Sequence, residues 1–248
     1  MKNLKKLLLL LLCSINLVFV GCTKEQDSSS QTEASIPLTD YGFYHNEALD
    51  LYYKKHNDIS GKTADLIIDE MTAELKTKYP KEFKDVNVEE IKEAFKNIDP
   101  QNFDIDTFWQ SNKEELYASG KVSKKLGNLA DKILENNMNF NQSMVEIENF
   151  KSNSLSKKGN YLTQNEQDNL IVFESVLKSS NQYWNYKNAA SKMTSKPGSK
   201  VIVGDTMGAL MFVYSGPMSI IAGGICSLFI NEALPAYQIP LDEELESF

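Results

Sequence analysis

The stretch 206–231, TMGALMFVYSGPMSIIAGGICSLFIN, contains no charged residue, and its reading decides the fold. As one uninterrupted helix of about 26 residues it would measure about 39 Å, enough to cross a bilayer core. Ser215-Gly216-Pro217 lies near its centre. Proline removes a backbone donor and clashes with the preceding turn, while glycine readily takes turn conformations. Broken there, each half holds roughly 11 to 14 residues and spans roughly 16 to 21 Å, too short to cross alone. A buried helical hairpin over 201–231 accounts together for the break, the missing charge and the small residues Gly204, Gly208, Ala209, Gly216, Ala222, Gly223 and Gly224. Gly204 and Gly208 also make a GxxxG spacing, which is associated with close helix packing in membranes. The competing reading has 207–230 insert into a bilayer, as glycine-rich pore-forming or bacteriocin-like segments do. That reading requires the turn's backbone groups to be satisfied within hydrocarbon.

Upstream of the hairpin, from Asp40 to about Lys196, apolar residues recur at helical spacing. Tyr41, Tyr44, Ala48 and Leu51, with the parallel row His45, Leu49 and Tyr52, make one broad stripe behind a start at Thr39 or Asp40. Thr63 opens a second segment that Pro80 closes, and Asn87 with Glu90 makes a cap-like pair for a third. Further stripes run through Phe103–Tyr117, Val122–Met138, Phe140–Phe150 and, from near Thr163, Leu170–Tyr186. Each stripe needs a partner surface, and the short polar connections favour antiparallel neighbours. The expected architecture is all-α: a single-domain multi-helix array over 40–236 with the apolar hairpin at its heart.

The N-terminus indicates a compartment. Lys2, Lys5 and Lys6 precede an apolar run that ends in Phe19-Val20-Gly21-Cys22, which fits an export signal over 1–21 better than a spanning helix. A small residue before a cysteine at this point resembles the lipobox of bacterial lipoproteins, which implies cleavage before Cys22 and lipid on its thiol. Residues 22–39 are polar, with almost nothing to bury, and are expected to be a flexible tether. The end, 237–248, reads as an acidic tail. These features place the chain outside the cytoplasm, lipid-anchored in the cell envelope, with the outer membrane as the expected location.

Composition narrows the function classes. Of 248 residues, 42% are hydrophobic and 24% charged, which excludes a wholly disordered chain and a small disulfide scaffold. All 26 basic residues are lysines, so no bidentate guanidinium clamp exists for phosphate. Loss of the signal leaves 23 lysines against 34 acids, a net charge of −11, which opposes nucleic-acid binding. Cys226 is then the only cysteine besides Cys22, so no internal disulfide is expected and a buried thiol is. There is no H-E-x-x-H, G-x-S-x-G or paired-cysteine spacing, and Gly204-Asp205-Thr206-Met207-Gly208 lacks the lysine of a phosphate loop. His45 and His56 fall about three helical turns apart, too far to share one ion. No catalytic residue, metal or cofactor is singled out.

Two places remain as candidate contacts. His45-Asn46 puts donors and acceptors where an apolar stripe begins, and Tyr183-Trp184 could form an aromatic recognition patch; structural hydrogen bonding and core packing are the plainer readings. Gly42, His45, Asn46 and Leu49 resemble the G-x-x-H-N-x-x-L opening of uncharacterised Gram-negative lipoproteins. Ser180 with Tyr183-Trp184, then Asp205, Gly208-Ala209 and a glycine-containing apolar end, is similar to the later part of those chains. Members of that family have a richer glycine and alanine run than Met207–Ile230. The resemblance implies a secreted, lipid-anchored protein and supplies no catalytic residues. The expected role is non-enzymatic binding of a protein or envelope component, with a membrane-active hairpin as the rival.

Overall fold

The helix starts follow from side chains able to satisfy the free N–H groups of a first turn. In this computed structural model, Thr63 Oγ1 accepts from the Leu66 N–H at 3.4 Å, Asp104 Oδ1 from Thr107 at 2.8 Å and Ser123 Oγ from Leu126 at 3.3 Å. Thr163 and Glu166 form a reciprocal capping box, at 2.8 Å from the Thr163 N–H to the Glu166 carboxylate and 3.2 Å from the Glu166 N–H back to the hydroxyl. Asn139 and Gln142 make a similar exchange at 2.9 and 3.0 Å. One expected cap forms differently. Asn87 Oδ1 accepts from the Glu89 N–H at 3.1 Å, while the Glu90 side chain reaches away to the hairpin tip.

The structure describes residues 36–56, 58–156, 161–191 and 199–233. The signal 1–21, Cys22, the tether up to residue 35, the Lys157–Asn160 connection and the tail 237–248 lie outside the described residues. Among the described residues are α1 (Tyr41–Lys55), α2 (Ala64–Lys78), α3 (Pro80–Phe83), α4 (Glu89–Phe95), α5 (Ile105–Ala118), α6 (Lys124–Glu135), α7 (Phe140–Ser156), α8 (Gln164–Ser191), α9 (Ser199–Met211) and α10 (Met218–Ala233), with no strand. The class is all-α. Ile36 is already buried, and a 3-10 turn over Leu38–Asp40 leads into α1, so the fold starts slightly ahead of the first apolar stripe.

α9 and α10 are the hairpin, and they form the centre of the array. Every residue from Val201 to Val213 and from Ser219 to Ile230 is buried. α10 packs on α9, α1, α2 and the 3-10 turn at Pro100–Asn102, while α9 packs on α8 and on the α5–α7 side. Gly216 makes the reversal possible: its φ of 60° lies where a side chain would be strained. Gly208 sets the closeness of the two helices, because a Cβ there would fall 2.7 Å from both the Ala222 carbonyl oxygen and Cys226 Sγ. Phe229 carries the contact outward, with ring centroids 5.7 Å from Phe95 and 5.6 Å from Phe103. The helices hold 13 and 16 residues, about 20 and 24 Å, and no helix among the described residues is long and apolar enough to cross a membrane.

Candidate functional site

Helical periodicity alone brings four polar faces to one point. On α1, His45 shares a face with Ala48, Leu49 and Tyr52, all buried. On α8, Ser180 and Trp184 are one turn apart, and on α10 Gly223 and Ser227 are likewise one turn apart. Asp205, on α9, is the only charged residue between Val201 and Asn231. Where these faces meet, Asp205 Oδ2 accepts from the Ser180 hydroxyl and, at 3.2 Å, from Trp184 Nε1. His45 Nε2 lies 3.5 Å from the same oxygen. His45, Ser180, Asp205 and Ser227 are all 0% exposed, and Trp184 is 6% exposed.

The far side of the imidazole is fixed by α1 and α8. His45 Nδ1 lies 3.1 Å from Asn46 Oδ1, and Asn46 Nδ2 donates to the Ser179 carbonyl at 2.9 Å. The Gly42 N–H donates to Ser175 Oγ at 3.0 Å, and that hydroxyl donates on to the Thr39 carbonyl at 2.7 Å. Gly223 presses on the ring, since a Cβ there would fall 3.2 Å from His45 Cδ2 and 2.9 Å from the Asp205 carbonyl oxygen. Three buried atoms at this junction, His45 Nε2, Asp205 Oδ1 and Ser227 Oγ, have polar neighbours but make no well-formed hydrogen bond.

Burial governs the protonation states. It pushes the Asp205 carboxyl up to about 8, against the opposing pull of Ser180, Ser227 and Trp184. It pushes His45 down to about 4, against the smaller effects of Asn46 and the Gly223 backbone. The neighbouring Cys226 thiol is raised well above its ordinary value by burial and by Asp205. At neutral pH the cluster is therefore uncharged, with the acid protonated and the imidazole neutral.

The cluster holds a hydroxyl, an imidazole and a carboxyl, but not in the order nucleophilic catalysis requires. Ser180 donates to the carboxyl rather than to the imidazole, and every member is sealed from solvent. The arrangement can hold a proton and join helices. Of the residues singled out in the sequence, the structure brings His45 and Trp184 together on Asp205, puts Asn46 behind His45, and buries Tyr183 beside Trp184 with rings 5.2 Å apart. They are not a surface patch. Asp205, Ser180 and Ser227 were missed as site residues, although a lone carboxyl in an otherwise uncharged apolar stretch is a readable signal.

Elsewhere the polar groupings are peripheral. Lys62 Nζ reaches Glu70 at 2.7 Å, His56 Nδ1 at 3.0 Å and the Tyr52 hydroxyl at 3.2 Å, clamping the α1–α2 connection. A cleft of about 410 Å³ between the end of α4 and the start of α5 is lined by Asn97, Asp99, Asn102, Asp104 and Thr107, of which Asp99 and Asp104 cap the following turns. Among the described residues no three His, Cys, Asp or Glu side chains are grouped to hold a metal ion. Comparison of the chain with family models, with curated proteins and with solved structures finds no match.

Proposed function

We propose that the chain is an exported lipoprotein, attached to the outer membrane through lipid on Cys22, whose helical domain binds a protein or envelope component. The observation that carries this reading is the enclosure of the apolar stretch: Val201–Val213 and Ser219–Ile230 are consumed inside the fold. Attachment then falls to the Phe19-Val20-Gly21-Cys22 sequence and its lipid. The mature charge of −11 favours a basic or neutral partner over nucleic acid. The sealed, uncharged His45–Asp205 cluster serves to hold helices together, which supports binding over catalysis.

Expression of the full precursor in a bacterial host with radiolabelled palmitate tests the anchor. The wild type should label and fractionate with membranes, and Cys22→Ser should do neither. A Cys22→Ser protein that stays with membranes after carbonate washing would remove this reading. Crosslinking of the wild type in envelopes then identifies the partner.

A second reading, membrane activity through 207–230, has one observation in its favour. The hairpin tip is at the surface, with Tyr214 37% exposed, and polar contacts from Glu90 and Lys121 fasten it there. Dye leakage from anionic liposomes on addition of the Cys22→Ser protein would support it, and leak-free, folded, monomeric protein would dismiss it.

A further inference from the structure

We propose that His45 and Asp205 share a single proton that locks the apolar hairpin to α1 and α8, so that the docked hairpin is a proton-bound state. The inference goes beyond the reading above and depends on neither the lipid anchor nor a partner.

The hydrogen-bond geometry requires the proton. Asn46 Nδ2 is committed as donor to the Ser179 carbonyl, so its Oδ1, an acceptor only, is the atom that faces His45 Nδ1. Nδ1 must therefore carry a hydrogen, and in the neutral ring that burial favours this leaves a bare lone pair on Nε2. Nε2 lies 3.5 Å from Asp205 Oδ2, with the Gly223 backbone also beside the ring, and makes no well-formed hydrogen bond to either. An ionised carboxylate in that place would set lone pair against lone pair with no water to intervene. A proton on Asp205 Oδ2 turns the carboxyl into a donor toward the imidazole, while the lone pairs of the same oxygen accept from Ser180 and Trp184.

The surroundings offer no other compensation for charge. The titratable groups that face the carboxyl are Tyr53 of α1, Tyr183 of α8 and Cys226 of α10, and Asp50 of α1 stands beside Tyr183. All are acids or phenols, and burial raises both tyrosines and the thiol. Removal of the shared proton would bury a carboxylate with only a neutral imidazole alongside. The pair also joins three elements: His45 on α1, Asp205 on α9 with its donors on α8, and Gly223 of α10 against the ring. Weakening it loosens the hairpin before the outer helices.

Hydrogen exchange of the full chain in detergent, corrected for intrinsic rate, tests the lock. Opening of 199–233 in the wild type should increase about eight-fold between pH 6.5 and 8, because the docked pair is half deprotonated at the upper end and the open histidine half protonated at the lower end. Asp205→Asn keeps a neutral donor-acceptor side chain in place, and its opening should be independent of pH over the same range. An equal pH response in both proteins would overturn the proposal. Should Asp205→Asn fail to fold, nitrogen NMR of wild-type His45 at pH 7 decides instead. A neutral ring with hydrogen on Nδ1 supports the shared proton, and an imidazolium or an Nε2-bound hydrogen overturns it.

Discussion

The hairpin is fastened by a carboxyl group at its tip and by another at its base, midway along α9, and the two fastenings obey opposite physics. At the tip, Glu90 accepts from Lys121 at 2.8 Å, from Ser215 at 3.3 Å and from the Tyr214 hydroxyl, with Lys121 also 3.9 Å over the Tyr214 ring. Burial raises the Glu90 carboxyl, but these partners outweigh it and hold the group below its ordinary value. Its side chain is 43% exposed, so water and salt screen every one of those contacts. At the base, Asp205 is 0% exposed, and burial overrides its two donors, Ser180 and Trp184, and keeps it protonated near neutral pH. The same chemical group is an anion where it meets lysine in water and a neutral donor where it meets imidazole in the core. Breaking the base should therefore cost far more than breaking the tip.

The largest effect is expected from Asp205→Ala. It leaves the Ser180 hydroxyl and Trp184 Nε1 buried without their acceptor, at about 1 to 3 kcal/mol for each unsatisfied group and about 2 to 5 kcal/mol in all after relaxation. Urea unfolding followed by far-ultraviolet circular dichroism measures it, and a loss under 1 kcal/mol would remove the claim that the base carries the hairpin. Gly208→Val comes next. Its side chain must enter a space where the Ala222 carbonyl oxygen and Cys226 Sγ already lie 2.7 Å from a Cβ, an overpacking worth about 2 to 3 kcal/mol. The same melts of Gly208→Val should show a lower midpoint, and an unchanged midpoint would mean that the two helices of the hairpin part easily.

The pH dependence separates base from tip at an intermediate size. Asp205 rises from 3.8 to about 8 on folding, so its contribution is full below 3.8 and is lost as pH rises to 8. His45 falls from 6.5 to about 4, so its contribution is full above 6.5 and is lost as pH falls to 4. Between about 4 and 6.5 folded and unfolded states each hold one proton on this pair, and the two effects cancel. From 6.5 to 8 the folded state holds more, by about half a proton at each end of the window and somewhat more between, so stability falls with rising pH by about 1 kcal/mol in total. Thermal melts at pH 5, 6.5 and 8 should be nearly level across the first pair and lower at the third, whereas Asp205→Asn, left with the His45 effect alone, should be nearly level from pH 6.5 to 8 and lower at pH 5.

The sequence makes the hairpin legible because three local rules agree there. A turn at Ser215-Gly216-Pro217, an absence of charge and clustered small residues allow few other arrangements, and helix starts such as Thr63, Asp104, Ser123 and Thr163 announce themselves through capping chemistry. Half of the base cluster was legible too, since His45 and Trp184 stand out as polar groups within apolar stripes. The rest was not, because Asp205 acquires its partners only when α1, α8 and α9 converge across separations of 21 to 25 residues on the α8 side and many more on α1. Glu90 misleads for the same reason. Its spacing from Asn87 fits a cap, but a tertiary partner, the hairpin tip, claims the carboxylate.

The smallest effect sharpens the comparison most. Glu90→Gln keeps the shape of the tip but removes the charge that pairs with Lys121, and exposed pairs of this kind contribute about 0.2 to 1 kcal/mol. The expected loss is about 0.5 kcal/mol at low ionic strength and nearly nothing in 1 M salt, where the Debye length is about 3 Å. Asp205 should show no such salt response, because no counter-ion reaches a group sealed among four helices. Measuring both variants in 0.05 M and 1 M sodium chloride sets the two fastenings of the hairpin against each other in one experiment. A salt-insensitive Glu90→Gln loss above 2 kcal/mol would mean that the tip, not the base, holds the hairpin shut, and that hairpin release begins from the surface rather than from the core.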